Sequence, residues 1–196
     1  MALYISGQTC VLREVSLQNK PEEMRRVSPK ATVPVLVLPE GTVLEESLDI
    51  MFWALGRNDP RNWLSPKIGD LKQMKDLIAH NDDVFKNHLD RYKYATRYEP
   101  GTNPIYHRNE GAVFLNHLEE RLTLSRHLFG DDPALVDVAL FPFIRQFANA
   151  DRDWFDQQNW PGLLRWLNDH LASELFSAIM QKWGVWRPGA DEVLFH

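Results

Sequence analysis

The sequence predicts a two-domain α+β chain, a small mixed domain followed by an all-helical one. Three observations point there. Residues 31–47, ATVPVLVLPEGTVLEES, join an apolar β-branched run to turn chemistry and a second short apolar run, the pattern of a β-hairpin. Residues 58–66, ending LSP, hold two prolines among turn formers and read as a linker. Beyond Asp70, apolar side chains recur every three or four residues, which only helices require. The expected limits are 1–57, a linker over 58–66, and a helical domain over 67–196.

In the first part, Ala2 to Ile5 reads as the end of a helix stopped by Gly7. Thr9 to Val15 alternates loosely, as a strand does. Pro21-Glu22-Glu23 suits a first helical turn, and Ser28-Pro29 ends that helix near Val27. The hairpin follows. A helix then opens at Ser47, with Leu48, Met51, Phe52 and Leu55 on one face and Gly56 just past its end.

In the second part, residues 70–92 read as one long amphipathic helix whose regularity breaks at Asn81. Residues 94–106 read as a tyrosine-rich loop. Residues 107–125 form a helix with Phe114, Leu115, Leu118 and Leu122 facing in. Residues 136–147 are apolar almost all round and should form the central helix, kinked at Pro142. Two shorter helices follow near 161–171 and 172–183, and the tail from Gly184 shows little pattern.

Composition removes several function classes. A formal net charge of −5, from 22 basic and 27 acidic side chains, leaves no basic footprint for nucleic acid. No apolar run approaches the length of a membrane span, and the start MALYISGQTC has no secretory signal pattern. One cysteine, Cys10, excludes an internal disulfide, so a cytoplasmic location is the simplest expectation.

The hairpin carries the candidate site. Pro34 cannot donate a ladder bond, so it belongs at a strand end, an edge or a cis turn. With a cis bond, the main chain of Val33 would face outward and could pair with an extended peptide. Glu46 and Ser47 lie where strand gives way to helix. The free amides and dipole there favour a carboxylate, Ser47 adds a hydroxyl, and Glu46 suits an ammonium. Together these groups fit the α-amino-acid end of a ligand. The simpler alternative is a strand-start proline followed by a serine cap.

TVPVL followed by EES resembles the glutathione-binding half of the thioredoxin-like domain of glutathione transferases, and VSPKA before it resembles the omega-like and bacterial cysteine-type branches. The resemblance implies an incomplete thioredoxin-like N-terminal domain followed by an all-α C-terminal bundle. It also implies roles. Val33, before a cis Pro34, would pair with the cysteinyl backbone of glutathione. Glu46 and Ser47 would hold the γ-glutamyl end, and Lys30 would lie near the glycine carboxylate. Glutathione as co-substrate, a small electrophilic or disulfide substrate, and a homodimer are further implications. One departure stands out: against the family's element order, the first strand and the catalytic helix start are missing, as though the N-terminus were truncated. The strand at residues 9–15 should then be displaced from the hairpin or rearranged. In the later helix the family places Ser or Thr three residues before Asp137, where this chain has Ala134, which should weaken the cap by about 1 kcal/mol unless Asp131 or Asp132 takes over.

Cys10, after the first helix stop, reads as a structural thiol, so no catalytic residue is assigned. The seven histidines show no metal-ligand spacing. Two functional readings follow: a glutathione-dependent transferase or thiol reductase, and a non-catalytic transferase-like module that binds a ligand or a protein.

Overall fold

The computed structural model describes residues 1–98 and 101–196. It divides into two compact units, Met1–Arg61 with Glu174–His196, and Asn62–Ser173. The tail beyond Glu174, expected with the helical domain, thus joins the first unit.

In the first unit, helix α1 (Ala2–Ile5) ends at Ser6, and Gly7 follows with φ +68°, the left-handed stop that its sequence suggests. Strand β1 (Cys10–Leu12) is shorter than the expected 9–15. Helix α2 (Glu22–Val27) starts after Pro21 and ends at Ser28. Strands β2 (Leu36–Val37) and β3 (Val43–Leu44) form the hairpin, pairing Leu36 with Leu44 and Val37 with Val43. Gly41, at φ +90°, makes the turn, with Leu38 N donating to Thr42 O at 2.8 Å. Helix α3 (Ser47–Arg57) runs through Gly56, which was expected to end it, and stops at extended Asn58. Its deepest residues are Ile50, Ala54 and Leu55. Of the expected face, only Leu55 is fully buried. Asn58 Nδ2 donates to Ser6 O at 3.1 Å, tying α3 to α1.

The hairpin and β1 belong to separate two-stranded sheets. This meets the expectation that the first strand is displaced from the hairpin. Its partner is β4 (Val193–Phe195), in the tail that showed no pattern in the sequence; Cys10 pairs with Phe195 and Leu12 with Val193. Trp186 N donates to Glu14 O at 2.8 Å, and Arg13 stacks on the Trp186 ring at 4.7 Å. A short helix, α10 (Glu174–Ile179), precedes this strap.

In the second unit, α4 (Leu71–His80) begins with a reciprocal cap. Gln73 N donates to Asp70 Oδ1 at 2.8 Å, and Asp70 N to Gln73 Oε1 at 3.1 Å. The expected single helix is interrupted by one wide π-type turn, Asn81–Phe85, before α5 (Lys86–Lys93). The extra residue in that turn explains the break in periodicity at Asn81. Asn81 is buried and donates to Asp82 Oδ1 at 3.0 Å. Residues 95–97 form a tight turn inside the expected loop, of which Glu99 and Pro100 lie outside the described residues. Helix α6 (Pro104–Leu124) starts three residues earlier than expected, because Asn103 Oδ1 accepts from Ile105 N and Tyr106 N. Phe114, Leu115, Leu118 and Leu122 are all buried, as their spacing predicts.

Helix α7 (Leu135–Ala148) is the central one and contains Pro142. Ala134 offers no side-chain cap, but Asp137 Oδ2 accepts from Ala134 N at 2.9 Å. Helices α8 (Arg152–Asp156) and α9 (Pro161–Leu171) complete the bundle. Two glycines permit close helix contact. A Cβ at Gly111 would lie 2.6 Å from the Phe147 ring, and one at Gly162 would lie 2.9 Å from the Leu122 carbonyl. Among the described residues, no helix is long and apolar enough to cross a membrane.

Candidate functional site

The five predicted residues flank the hairpin on its two arms, and among them the structure joins Lys30 to Glu46. Antiparallel pairing sets Leu36 against Leu44. Pro34 lies two residues before Leu36 and Glu46 two residues after Leu44, with Val33 and Ser47 one step further along each arm. These positions lie at the open end of the hairpin, opposite the turn at Gly41. The Val33–Pro34 peptide bond is cis. Val33 is 45% exposed, and no backbone hydrogen bond to it is present among the described residues.

Two side-chain ties bind the loop after α2 to the start of α3. Lys30 Nζ lies 3.2 Å from Glu46 Oε1. Ser28, fully buried, donates to Glu45 Oε1 at 2.6 Å. The first pair is largely exposed and contributes at most about 1 kcal/mol. It can therefore open readily for a ligand's own ammonium and carboxylate. Sequence reasoning missed the Ser28–Glu45 tie; a serine before a proline and a glutamate before a helix carry no signal of their mutual contact.

Glu46, not Ser47, occupies the cap position of α3, and its side chain caps no amide. Ser47 is exposed in the first turn, so its hydroxyl adjoins amides that lack helical acceptors. Ala31, between Lys30 and Val33, adopts φ +50°, a left-handed conformation that suits glycine better. Its N–H donates to Ser28 O at 2.9 Å, closing a turn that carries Lys30 toward Glu46.

Cys10 is half-buried in β1, and burial pushes its thiol above the ordinary range, the opposite of an activated thiolate. In the helical unit, a cleft of about 490 Å³ is lined by Leu77, His80, Val113, Phe114, His117 and Arg121, among others. None of the five predicted residues lines it. Two tyrosines of the segment after α5 are covered by cations: Arg97 and Lys93 lie over Tyr94, and Arg91 over Tyr98.

Comparison with known families decides what this arrangement belongs to. Glutathione S-transferase, N-terminal domain, matches residues 1–63, and Glutathione S-transferase, C-terminal domain, matches residues 114–169. The chain belongs to the glutathione S-transferase family. Solved transferase structures share its fold. A ternary complex of BphK, a bacterial transferase, superposes with a TM-score of 0.75 at 18% identity, covering 90% of this chain and 88% of its own. A Pseudomonas fluorescens pf-5 family member with two glutathione bound gives 0.72 at 20%, covering 88% and 82%. A Sulfitobacter homologue with bound glutathione gives 0.66 at 14%, covering 81% and 77%. A search of curated protein sequences finds no match. As a glutathione S-transferase-like protein, the chain has a thioredoxin-like N-terminal region and a helical C-terminal region. The hairpin end described above lies inside the matched N-terminal domain.

Proposed function

We propose that this protein binds glutathione at the open end of the hairpin. The observation that carries the reading is the convergence of Lys30 on Glu46, beside the cis Val33–Pro34 bond and the start of α3 on the two arms of the same hairpin. Val33 offers its main chain to the cysteinyl residue, beside Pro34. Glu46 takes the γ-glutamyl ammonium, while Ser47 and the first amides of α3 take the neighbouring carboxylate. Lys30, released from Glu46, meets the glycine carboxylate. In this reading residues 1–57 are the glutathione-binding domain, 58–66 the linker and 67–196 the helical domain, with its last strand contributed to the first unit. The VSPKA segment supports placement in the omega-like or bacterial cysteine-type branch. A small electrophile or mixed disulfide as second substrate, a homodimer and a cytoplasmic setting accompany that placement.

Glutathione would then be used in conjugation or in thiol reduction. No residue among 1–196 is assigned the thiol-activating role. The second reading is a transferase-like module that binds a ligand or a protein without turnover.

Calorimetric titration of glutathione tests the proposal. Removing one hydrogen bond to a charged carboxylate costs about 1.5–3 kcal/mol. Ser47→Ala should therefore weaken binding about 10- to 100-fold. Absence of binding by the parent protein, or equal binding by Ser47→Ala and Glu46→Gln, would refute the assignment. A transferase assay on the same samples separates the two readings.

A further inference from the structure

We propose that His127, Asp137 and His170 form a buried site for one divalent metal ion of the zinc type in the helical unit. His127 lies in the loop between α6 and α7, Asp137 in the first turn of α7, and His170 in the last turn of α9. One ligand atom from each lies within 4.8 Å of the other two. His127 Nδ1 is 3.7 Å from Asp137 Oδ1, beyond hydrogen-bond reach. His127 Nδ1 and His170 Nε2 are both buried with no hydrogen-bond partner. An unsatisfied buried nitrogen carries a real penalty, so two facing one carboxylate require an occupant between them.

Each ligand is held from behind. Asp137 Oδ1 accepts from Leu128 N at 3.0 Å and Trp166 Nε1 at 2.8 Å, and Oδ2 accepts from Ala134 N at 2.9 Å. Such outer contacts fix the orientation of metal-binding carboxylates. A carboxylate offers about four acceptor directions; the two on Oδ1 are taken and one on Oδ2 is used, so the direction left for the ion is the second one on Oδ2. The His170 ring packs against Trp166 at 4.8 Å and Phe141 at 5.1 Å. The His127 main chain is pinned by its N–H to Gly130 O at 2.8 Å and by Ser125 Oγ donating to its carbonyl at 2.6 Å.

Two imidazoles and one carboxylate suit zinc, with a fourth position left for water. Zinc ligand bonds run about 2.0–2.2 Å and set tetrahedral ligand atoms about 3.4 Å apart, so atoms as far as 4.8 Å from one another must close by up to about 1.4 Å, through rotation of the two rings. Each histidine retains a thin exposed edge, 7% for His127 and 6% for His170, which gives the ion a short path in. A single ion satisfies both nitrogens and part of the buried carboxylate charge, whereas a bridging water leaves that charge unaltered. The spacing in sequence, ten and thirty-three residues, matches no motif, so the set is invisible before folding.

The test uses the full chain, stripped with chelator and titrated with zinc sulfate against a chromophoric competitor. One equivalent should bind at micromolar concentration or tighter and raise the Tm, and long-range ¹H–¹⁵N spectra should show both ring systems shifting together. His127→Gln and His170→Gln should each weaken binding at least 100-fold. Absence of binding by the parent at 100 μM zinc on the order of fifty protein equivalents, or binding that leaves both rings unshifted, overturns the proposal and leaves water as the occupant. Should either variant fold poorly, the parent's ring shifts decide the question.

Discussion

Glu119 provides the most direct test of how the helical unit is built. It is 8% exposed, on α6, and its carboxylate caps a different helix. Oε1 accepts from Gly162 N at 3.0 Å and Oε2 from Leu163 N at 2.6 Å, at the start of α9. The residue at the cap position of α9 itself is Trp160, which supplies no side-chain acceptor. Glu119 therefore satisfies two amides that nothing in α9 can reach, and its negative charge faces the positive end of that helix. A hydrogen bond to a charged partner contributes about 1.5–3 kcal/mol. Glu119→Ala leaves both amides buried and bare, so the loss should be about 3–5 kcal/mol. Glu119→Gln keeps one acceptor and turns its NH2 toward the other amide, so about 1.5–3 kcal/mol should be lost. Urea unfolding at neutral pH, followed by fluorescence, reads this as a lower midpoint with an unchanged slope. At about 2–4 °C per kcal/mol for a chain of this size, Glu119→Ala should also lower the Tm by about 10 °C. If Glu119→Ala unfolds within about 0.5 kcal/mol of the parent, the carboxylate is not the cap and the reasoning fails.

Three further outcomes are expected. Ala31→Gly relieves the left-handed backbone at φ +50°; it should stabilise the protein by about 0.5–1 kcal/mol, after the greater freedom of glycine in the unfolded chain is counted, and denaturant midpoints measure this. Gly162→Ala forces a Cβ to 2.9 Å from the Leu122 carbonyl, so it should destabilise by about 1–3 kcal/mol, with a lower Tm as the readout. His170 is held neutral by burial, its pKa lowered from 6.5 to about 4. The unfolded state binds this proton first, so stability is intact above pH 6.5 and falls as pH drops toward 4, by about 3 kcal/mol in all. Measured with chelator present, His170→Gln should flatten that part of the stability–pH curve.

Much of this protein was legible before folding. The apolar stripe at Phe114, Leu115, Leu118 and Leu122 specified α6 and its buried face. Turn chemistry at Pro39 to Gly41 and the helix start at Ser47 located the hairpin and α3. These are local signals: a helix repeats every 3.6 residues and a tight turn needs particular residues, so a short window is enough. Even the wide turn at Asn81 left a trace, as a break in the helical repeat.

Only the tertiary structure decided the rest. Glu119-Glu120 reads as an ordinary charged helix face, and nothing nearby in sequence announces that Glu119 caps α9. The pairing of Cys10 with Phe195 joins the two ends of the chain. The tail strand carries no alternation long enough to be read, because three residues at a sheet edge take their conformation from the partner strand. His127, Asp137 and His170 come from a loop and two helices. Their meeting depends on how α7 and α9 pack, through contacts such as Trp166 on Asp137. Local conformational preference is encoded within a few residues. A contact between distant residues exists only after burial of the apolar faces has set the helices against one another, so no local stretch can carry it.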